Sequence, residues 1–122
     1  MSGGEVNDGE VNDGDNEVRL AGFLVERGAL RRTPAGVAVL EARIQHRCEV
    51  IEAGLPRTVE FVMGAVALGA VADLLEREAL GARLELSGFL APRTRRSSRL
   101  VLHLTAIRSI ATGSSRDDQA GS

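Results

Sequence analysis

The feature that most constrains the fold is an alternation of apolar and polar side chains with a period of two residues. The longest stretch is residues 37–51, VAVLEARIQHRCEVI. Between residues 40 and 49 the aliphatic side chains fall at even positions, whereas every odd position carries a charged or amide side chain. Successive side chains of a β-strand point to opposite faces of the sheet, so this pattern predicts a long, half-buried strand.

Four other segments show the same period, at residues 18–25, 58–63, 83–90 and 100–107. Proline and glycine at 34–36, at 53–56 and at 92 mark turns between them. Together with residues 37–51, these segments predict five strands, each with one face toward a core.

One segment breaks the period of two. In residues 68–80, LGAVADLLEREAL, apolar side chains recur at helical spacing, and Gly81 suits the end of a helix. The stripe consists of Val71, Leu74, Leu75 and Leu80. The predicted order of elements is therefore β-β-β-α-β-β.

Five strands with one helix between the third and the fourth match the plan of the OB-fold, a small, partly open Greek-key barrel. The first and fourth strands each carry a glycine before a phenylalanine, in LAGFL at 20–24 and LSGFL at 86–90. A glycine inside a strand often marks the bend that a closed barrel needs. We therefore predict an all-β OB-fold domain with one helix over residues 17–111.

The two ends of the chain have another composition. Residues 1–17 contain the tandem repeat EVNDG at 5–9 and 10–14, and they carry six acidic residues and no basic one. Residues 112–122, TGSSRDDQAGS, are also poor in apolar side chains. Such segments bury too little surface to offset their ordering entropy, so we expect residues 1–16 and 112–122 to be disordered. The acidic tail either competes weakly for a basic surface or serves as a solubilising extension.

The formal net charge of −2 conceals a basic domain, because residues 18–110 carry 14 arginines against nine acidic residues. Four arginines fall within seven residues of LAPRTRRSSRLVLHL at 90–104, between the fourth and fifth strands. In an OB-fold, nucleic acid lies across the second and third strands and is flanked by the 1–2 and 4–5 loops. The 1–2 loop carries two more arginines, and one lies near the end of each of strands two and three. We predict a DNA-binding set of Arg31, Arg32, Arg47, Arg57, Arg93, Arg95, Arg96 and Arg99.

Several other classes of site are not supported by the sequence. A single cysteine, Cys48, allows no internal disulfide, and with two histidines it cannot form a zinc site of the usual ligand count. His46 and His103 lie in strand patterns without a nucleophile–base pair, and there is no G-x-x-x-x-G-K-[ST] loop. No apolar run approaches a membrane span, and the N-terminus lacks a signal-peptide pattern. We expect a cytoplasmic protein that is not an enzyme, has no cofactor or metal and does not contact a membrane.

The aromatic content is low, with three phenylalanines and no tryptophan or tyrosine. By strand parity Phe61 points inward and is expected in the core. Phe23 and Phe89 have the opposite parity, which favours burial in a subunit interface over a base-stacking role. In the fifth strand, Val101 and Ile107 are predicted to lie on the face opposite to that of Leu102. Apolar side chains on both faces are more than one small core needs, which indicates a homodimer. DNA affinity would then depend mainly on charge.

Short motifs in residues 18–110 resemble the primosomal replication protein N (PriB) family, relatives of the single-stranded-DNA-binding protein SSB. The matching pieces are LAGF in the first strand, TPAG at 33–36, IQHR at 44–47 leading to EAG at 52–54, LSGF at 86–89, and LVLH at 100–103 followed by Ile107.

The resemblance implies an OB-fold homodimer that binds single-stranded DNA during replication restart. The family helps to reload the replicative helicase at stalled forks through contacts with the PriA helicase and, in some bacteria, DnaT. Its cationic 4–5 loop falls on the arginines at 93, 95, 96 and 99, and its strand-two arginine falls on Arg47.

Two alternatives remain open on the sequence. The family carries aromatic residues at two positions that are Glu60 and Leu55 in this chain, which favours a protein-interaction module of the primosome with weak DNA affinity. The second alternative is an SSB paralogue, although the chain ends in RDDQAGS rather than in an acidic peptide with a terminal aromatic residue.

Overall fold

The computed structural model describes residues 14–110. Disorder was predicted for residues 1–16 and 112–122, of which residues 1–13 and 112–122 lie outside the described residues. Residues 14–16 are described, and the side chain of Asn16 exchanges two hydrogen bonds with the backbone of Leu90. The described elements are β1 (Val18–Arg27), β2 (Ala38–Glu52), β3 (Leu55–Leu68), α1 (Ala70–Glu76), β4 (Arg83–Pro92) and β5 (Leu100–Ser109). The β1–β2 loop contains a two-residue strand, Arg31–Arg32, which pairs with the start of β2. The predicted order β-β-β-α-β-β is confirmed.

The five strands form a closed barrel. β1 is antiparallel to both β2 and β4, β2 is antiparallel to β3, and β4 is antiparallel to β5. The barrel closes where β3 and β5 run parallel, over only three residue pairs from Ala65–Leu102 to Ala67–Leu104. The short parallel closure leaves the two strands separated beyond these pairs. The predicted OB-fold is thereby confirmed.

Inward side chains of all five strands and of α1 form one core. Its largest fully buried members are Leu24, Leu40, Ile44, Leu75, Leu84, Leu86 and Leu102. Two glycines allow strands to approach closely, since a Cβ at Gly88 would lie 1.9 Å from the carbonyl oxygen of His103, and one at Gly22 would lie 2.6 Å from that of Gln45. The glycines of the two glycine–phenylalanine pairs thus lie where neighbouring strands approach closely, and Gly88 also lies at a β-bulge.

A β-bulge corrects the prediction for Ile107. Ser87 pairs with Ala106 and Gly88 pairs with Leu104, so Thr105 has no partner on β4. An extra residue on one strand reverses the alternation that follows it. Ile107 consequently packs against the core instead of lying opposite Leu102. The homodimer prediction therefore loses this part of its basis.

The β2–β3 hairpin projects beyond the barrel. Ala53 and Gly54 both have positive φ, at 54° and 78°, which suits a two-residue type I′ turn. β3 is longer than the predicted 58–63, and Pro56 lies within its first residues, where the loss of a donor is tolerated near the hairpin end. Phe61 has inward parity, as predicted, but it is 38% exposed because its part of the hairpin extends past the core. Its predicted core position is therefore wrong.

The helix is shorter than the predicted 68–80. α1 ends at Glu76, with Ala72 and Leu75 buried, whereas Leu74 and Leu80 are exposed. Gly81 has a φ of 88° and belongs to a later turn, in which its N–H donates to the carbonyl oxygen of Leu24 at 2.7 Å. The chain thus leaves the helix early to dock on β1. Within residues 14–110, no helix is long and apolar enough to cross a membrane.

Candidate nucleic-acid interface

The loop between β4 and β5, residues 93–99, is closed by its own hydrogen bonds. The N–H of Arg93 donates to the carbonyl oxygen of Arg99 at 2.8 Å, and the N–H of Ser97 donates to that of Thr94 at 3.1 Å. The Ser97 hydroxyl oxygen accepts from the N–H of Arg99 at 2.9 Å. Serine and threonine form such local bonds readily in turns. The loop therefore has a defined backbone, while its four arginine side chains remain exposed.

An open groove with a volume of about 1390 Å³ passes beside this loop. It begins at the base of the β1–β2 loop, at Gly28, crosses the outward faces of β2 and β3 to reach β5, and also extends to inward-parity side chains of β3 such as Phe61 and Met63. Its lining includes Glu41, Arg43, Val62, Gly64, Val66 and Leu100. The groove follows the path that the OB-fold plan assigns to nucleic acid.

The arginine loop borders this groove. Arg93 and Arg99 line it, and Arg95 and Arg96 extend from the same loop. Within residues 14–110, no acidic side chain lies within 4.0 Å of the guanidinium groups at positions 95, 96 and 99. Their charges are available to an external anion.

Glu41 lies between the two basic loops. Its Oε2 is 3.2 Å from Arg31 of the β1–β2 loop, and its Oε1 is 4.0 Å from Arg93. All three side chains are about half exposed. Arg32 instead donates to the carbonyl oxygen of Gly36 at 3.3 Å, within its own loop. The structure thus brings Arg31 to the groove wall through Glu41, while Arg32 faces away from this contact.

The two remaining predicted arginines lie on the projecting hairpin and do not line the groove. Arg47 is 3.6 Å from Glu49, and Arg57 pairs with Glu52. Ion pairs this exposed contribute about 0–1 kcal/mol each, so they do not prevent contact with a nucleic acid. Their place in the binding set stays a prediction.

Arg43 is a groove residue that the predicted set omitted. It lies on the outward face of β2 opposite Gly64 and pairs with Glu26 at 3.8 Å. The alternation in residues 37–51 already places it on the solvent face, between buried Ala42 and Ile44. The predicted set was confined to the loops and strand ends, whereas Arg43 lies in the middle of its strand.

Of the three phenylalanines, Phe61 lines the groove. Its ring lies 5.1 Å from that of His46, whose Nδ1 is 2.7 Å from the carbonyl oxygen of Ala21. Phe23 and Phe89 are 44% and 40% exposed on the outward faces of β1 and β4, and neither lines the groove. Stacking in the groove would therefore depend on Phe61 and on the imidazole of His103, which also lines the groove.

A paired arginine on the outer face of β4 and β5 illustrates the difference from the loop. The Arg108 Nε donates to Glu85 at 2.9 Å. This hydrogen bond, and then the Coulomb attraction of the same guanidinium, holds the pKa of Glu85 below its ordinary value. Slight desolvation opposes this lowering, and the charge of Arg19 contributes to it. Among the described residues, no three His, Cys, Asp or Glu side chains are arranged to hold a metal ion.

Comparisons with known proteins agree with this geometry. Residues 16–106 match the model of a family described as "Another single-strand binding protein family". The replication restart protein PriB of Bordetella pertussis is 44% identical over 106 residues, which cover 87% of this chain and 99% of that protein. The PriB of Nitrosomonas europaea is 35% identical over 95 residues, covering 78% of this chain and 88% of its own.

Solved structures show the same relationship. The PriB structure from Ralstonia solanacearum is 35% identical, has a TM-score of 0.71, and covers 80% of this chain and all of its own. The single-stranded DNA binding protein of Thermus aquaticus is 22% identical with a TM-score of 0.64 over 80% of this chain and 50% of that one, which shows the fold alone. The chain therefore belongs to the PriB family of single-strand binding proteins.

Proposed function

We propose that this chain is a single-stranded-DNA-binding accessory protein of replication restart, and that it binds through the β4–β5 loop and the adjoining groove. The observation that carries the proposal is the position of Arg93 and Arg99 on the groove wall. Arg95 and Arg96 extend from the same loop without an acidic partner in residues 14–110. Arginines placed this way displace counterions from a phosphate backbone, the main source of affinity in such complexes.

The proposed mechanism uses charge first and ring contacts second. The strand would lie across the outward faces of β2 and β3, with phosphates directed toward the β4–β5 loop and toward Arg43. The aliphatic floor at Val62 and Val66 provides no stacking surface. Two rings line the groove: His103 on β5, and Phe61, which lies on the opposite side of β3 from Val62 and Val66, so that a base contact with Phe61 would lie where the hairpin extends past the core. The assignment as a binding protein rather than an enzyme is supported by the family match, whose description names single-strand binding.

The proposal extends to partners and location. The names of the PriB relatives support a role in replication restart. A cytoplasmic location, a PriA-type helicase partner and, where it exists, DnaT are proposed from the resemblance to the family alone. A homodimer is supported by the exposed rings of Phe23 and Phe89, which lie at opposite ends of the β1–β4 pair and would have to be covered by one extended interface. Sedimentation as a monomer at micromolar concentration would contradict the dimer.

Binding to oligo-dT tests the DNA part directly. Replacing all four loop arginines with alanine (Arg93→Ala, Arg95→Ala, Arg96→Ala, Arg99→Ala) is expected to weaken binding by about tenfold or more at low salt. Circular dichroism should show an unchanged barrel, because these side chains are exposed. Unchanged affinity in the folded variant would overturn the assignment of the loop.

The second candidate, an interaction module of the primosome with weak DNA affinity, is favoured by the hairpin tip. Ile51 and Leu55 are 71% and 68% exposed there. Glu60, which stands where the family carries an aromatic residue, offers no ring and accepts a hydrogen bond from Gln45 at 3.3 Å. A pull-down with a PriA-type helicase and a DNA titration on the same preparation separate the two. Helicase capture with little DNA binding supports the interaction module.

A further inference from the structure

The chain has two histidines, and His103 is the one that lines the groove. It lies on β5 between the core residues at 102 and 104, so its side chain belongs to the outward face. It pairs with Val66 of β3 on one side and with Phe89 of β4 on the other. Glu41 of β2 pairs with Val66 in turn. The imidazole therefore forms part of the groove floor, in the same cross-strand row as the carboxylate that contacts both basic loops.

The two histidine rings have different partners. The Nδ1 of His46 is 2.7 Å from the carbonyl oxygen of Ala21, so this ring joins β2 to β1. The ring of His103 makes no hydrogen bond to another group of residues 14–110. It stacks on the ring of Phe89, with centroids 5.0 Å apart and planes 13° from parallel. Phe89 thus covers one face of the imidazole, and the two nitrogens keep their hydrogen-bonding capacity for a ligand in the groove.

The charges around His103 favour an anionic ligand. Its cross-strand neighbours Val66 and Phe89 are uncharged, and within the described part of the chain no carboxylate lies within 4.0 Å of its ring nitrogens. The helix α1 also packs on β5, but none of its acidic side chains lines the groove. The charged residues that line the groove are Glu26, Arg27, Glu41, Arg43, Arg93 and Arg99. Because four of these six are arginines, a protonated imidazole would add to an existing excess of positive charge.

We propose that His103 contacts the nucleic acid in the groove, and that its protonated ring adds a phosphate contact, so that binding strengthens as the pH falls. Histidine is the side chain whose charge ordinarily changes between about pH 5 and 8. A neutral imidazole offers one N–H donor, whereas the imidazolium offers two donors and a positive charge, and both changes favour a phosphate oxygen. The inference rests on the proposed function, because it names a further contact of the same groove.

Binding of oligo-dT at two pH values tests the charged contact, since neither thymine nor the phosphodiester titrates in this range. At low salt, the affinity of the native chain is expected to be about three- to tenfold higher at about pH 6 than at about pH 8. His103→Gln keeps a polar side chain that cannot become charged, so its affinities at the two pH values should agree within about twofold. The matched control His46→Gln lies outside the groove and should keep the native difference. A native pH difference in His103→Gln would overturn the inference.

The salt dependence shows whether the added contact is to a phosphate. Each phosphate contact on a single strand contributes about 0.7 to the slope of log K against log salt. The slope of the native chain should therefore steepen by up to about 0.7 between about pH 8 and about pH 6, whereas that of His103→Gln should stay constant. His103→Arg is charged at both pH values and should bind tightly at both. A pH difference that requires His103 but leaves the slope unchanged would contradict the phosphate contact.

A measurement on the unmutated protein covers the case in which His103→Gln does not keep the barrel, which circular dichroism at both pH values would show. At about pH 6, the imidazole proton NMR signals of His103 should shift on addition of oligo-dT, and those of His46 should shift less. Equal shifts, or none at His103, would overturn the inference. If the native chain binds no oligo-dT at either pH, the proposed function fails together with the inference. If it binds equally well at both pH values, the inference alone fails.

Discussion

Arginines on the sheet and arginines in the β4–β5 loop are the same residue type in opposite settings. On the sheet, Arg43, Arg47 and Arg57 each lie within 4.0 Å of a carboxylate on the same or a neighbouring strand. In the loop, three of four arginines have no such partner within residues 14–110, and the fourth reaches Glu41 only at 4.0 Å.

The difference follows from the local sequence. Alternating strands place residues that are two positions apart, directly opposite or diagonal to one another on one face, so Arg43, Arg47 and Arg57 each have a glutamate as a neighbour. The loop sequence RTRRSSR contains no acid, and its serine and threonine instead close the turn. Arg43, Arg47, Arg57 and Arg108 are thus neutralised by neighbouring carboxylates, whereas Arg19, Arg27 and Arg83 on the sheet have no carboxylate within 4.0 Å in residues 14–110. The loop differs from both groups because it concentrates four arginines within seven residues beside the groove.

The scaffold beneath the loop provides the largest expected effect. Gly88→Ala would place a Cβ 1.9 Å from the His103 carbonyl oxygen, so β4 and β5 must separate and the loop must move with them. We expect unfolding in urea to show a loss of about 3 kcal/mol. The control Gly64→Ala meets only a Val101 methyl at 3.6 Å and should leave stability equal or slightly higher. Equal losses in both variants would contradict the role of Gly88.

Removing the loop arginines and the sheet arginines in two separate variants should give the next largest effect. The loop variant (Arg95→Ala, Arg96→Ala, Arg99→Ala) is expected to lose about tenfold or more in oligo-dT affinity at low salt. The sheet variant (Arg43→Ala, Arg47→Ala, Arg57→Ala) removes as many charges but releases three carboxylates from ion pairs. Its loss of affinity for oligo-dT, measured by fluorescence titration, should be smaller than that of the loop variant. A larger loss in the sheet variant would contradict the difference between the two groups.

Phe61 tests how far rings add to charge. Phe61→Leu keeps an apolar side chain in the groove but removes the stacking face, and we expect a loss of about 1 kcal/mol in DNA binding, roughly fivefold. The control Phe23→Leu lies outside the groove and should not change the affinity per binding site. A loss larger than that of the loop variant would show that ring contacts dominate.

Glu41 provides the smallest expected effect, with the opposite sign. Glu41→Gln removes the carboxylate that contacts Arg31 and Arg93 on the groove wall. Affinity for oligo-dT should rise about two- to threefold at low salt, because the phosphate no longer competes with the Glu41 carboxylate for Arg31 and Arg93. Glu49→Gln, on the hairpin outside the groove, is the control and should change the affinity less. A weaker complex after Glu41→Gln would mean that this residue positions the loops.

Much of this fold could be predicted from the alternation of side chains, because each barrel strand buries one face. What the pattern could not show depends on contacts between distant segments. Nothing within residues 100–107 indicates that Thr105 lacks a partner, yet that bulge turns Ile107 into the core. Likewise, parity assigned Phe61 to the inner side of β3. Whether an inner side chain is buried depends on where β3 pairs with β5, and that pairing begins only at Ala65.

The candidate site was predictable to a similar extent. The arginine cluster and its loop are local in sequence, and the OB-fold plan brings that loop beside strands two and three. The position of Glu41 between two loops was not predictable, since it requires the β1–β2 and β4–β5 loops to approach the same strand. The attachment of Asn16 to Leu90 is equally nonlocal, at a sequence separation of 74 residues.

The most direct test is the salt dependence of oligo-dT binding by the native chain and by the loop variant. If about four phosphates are neutralised per chain, the plot of log K against log salt should have a slope near −3, from about 0.7 per phosphate on single strands. Loss of three loop arginines should bring the slope to about −1. A slope that is equally steep in the variant would show that the phosphates are held elsewhere and would contradict the binding role of the loop.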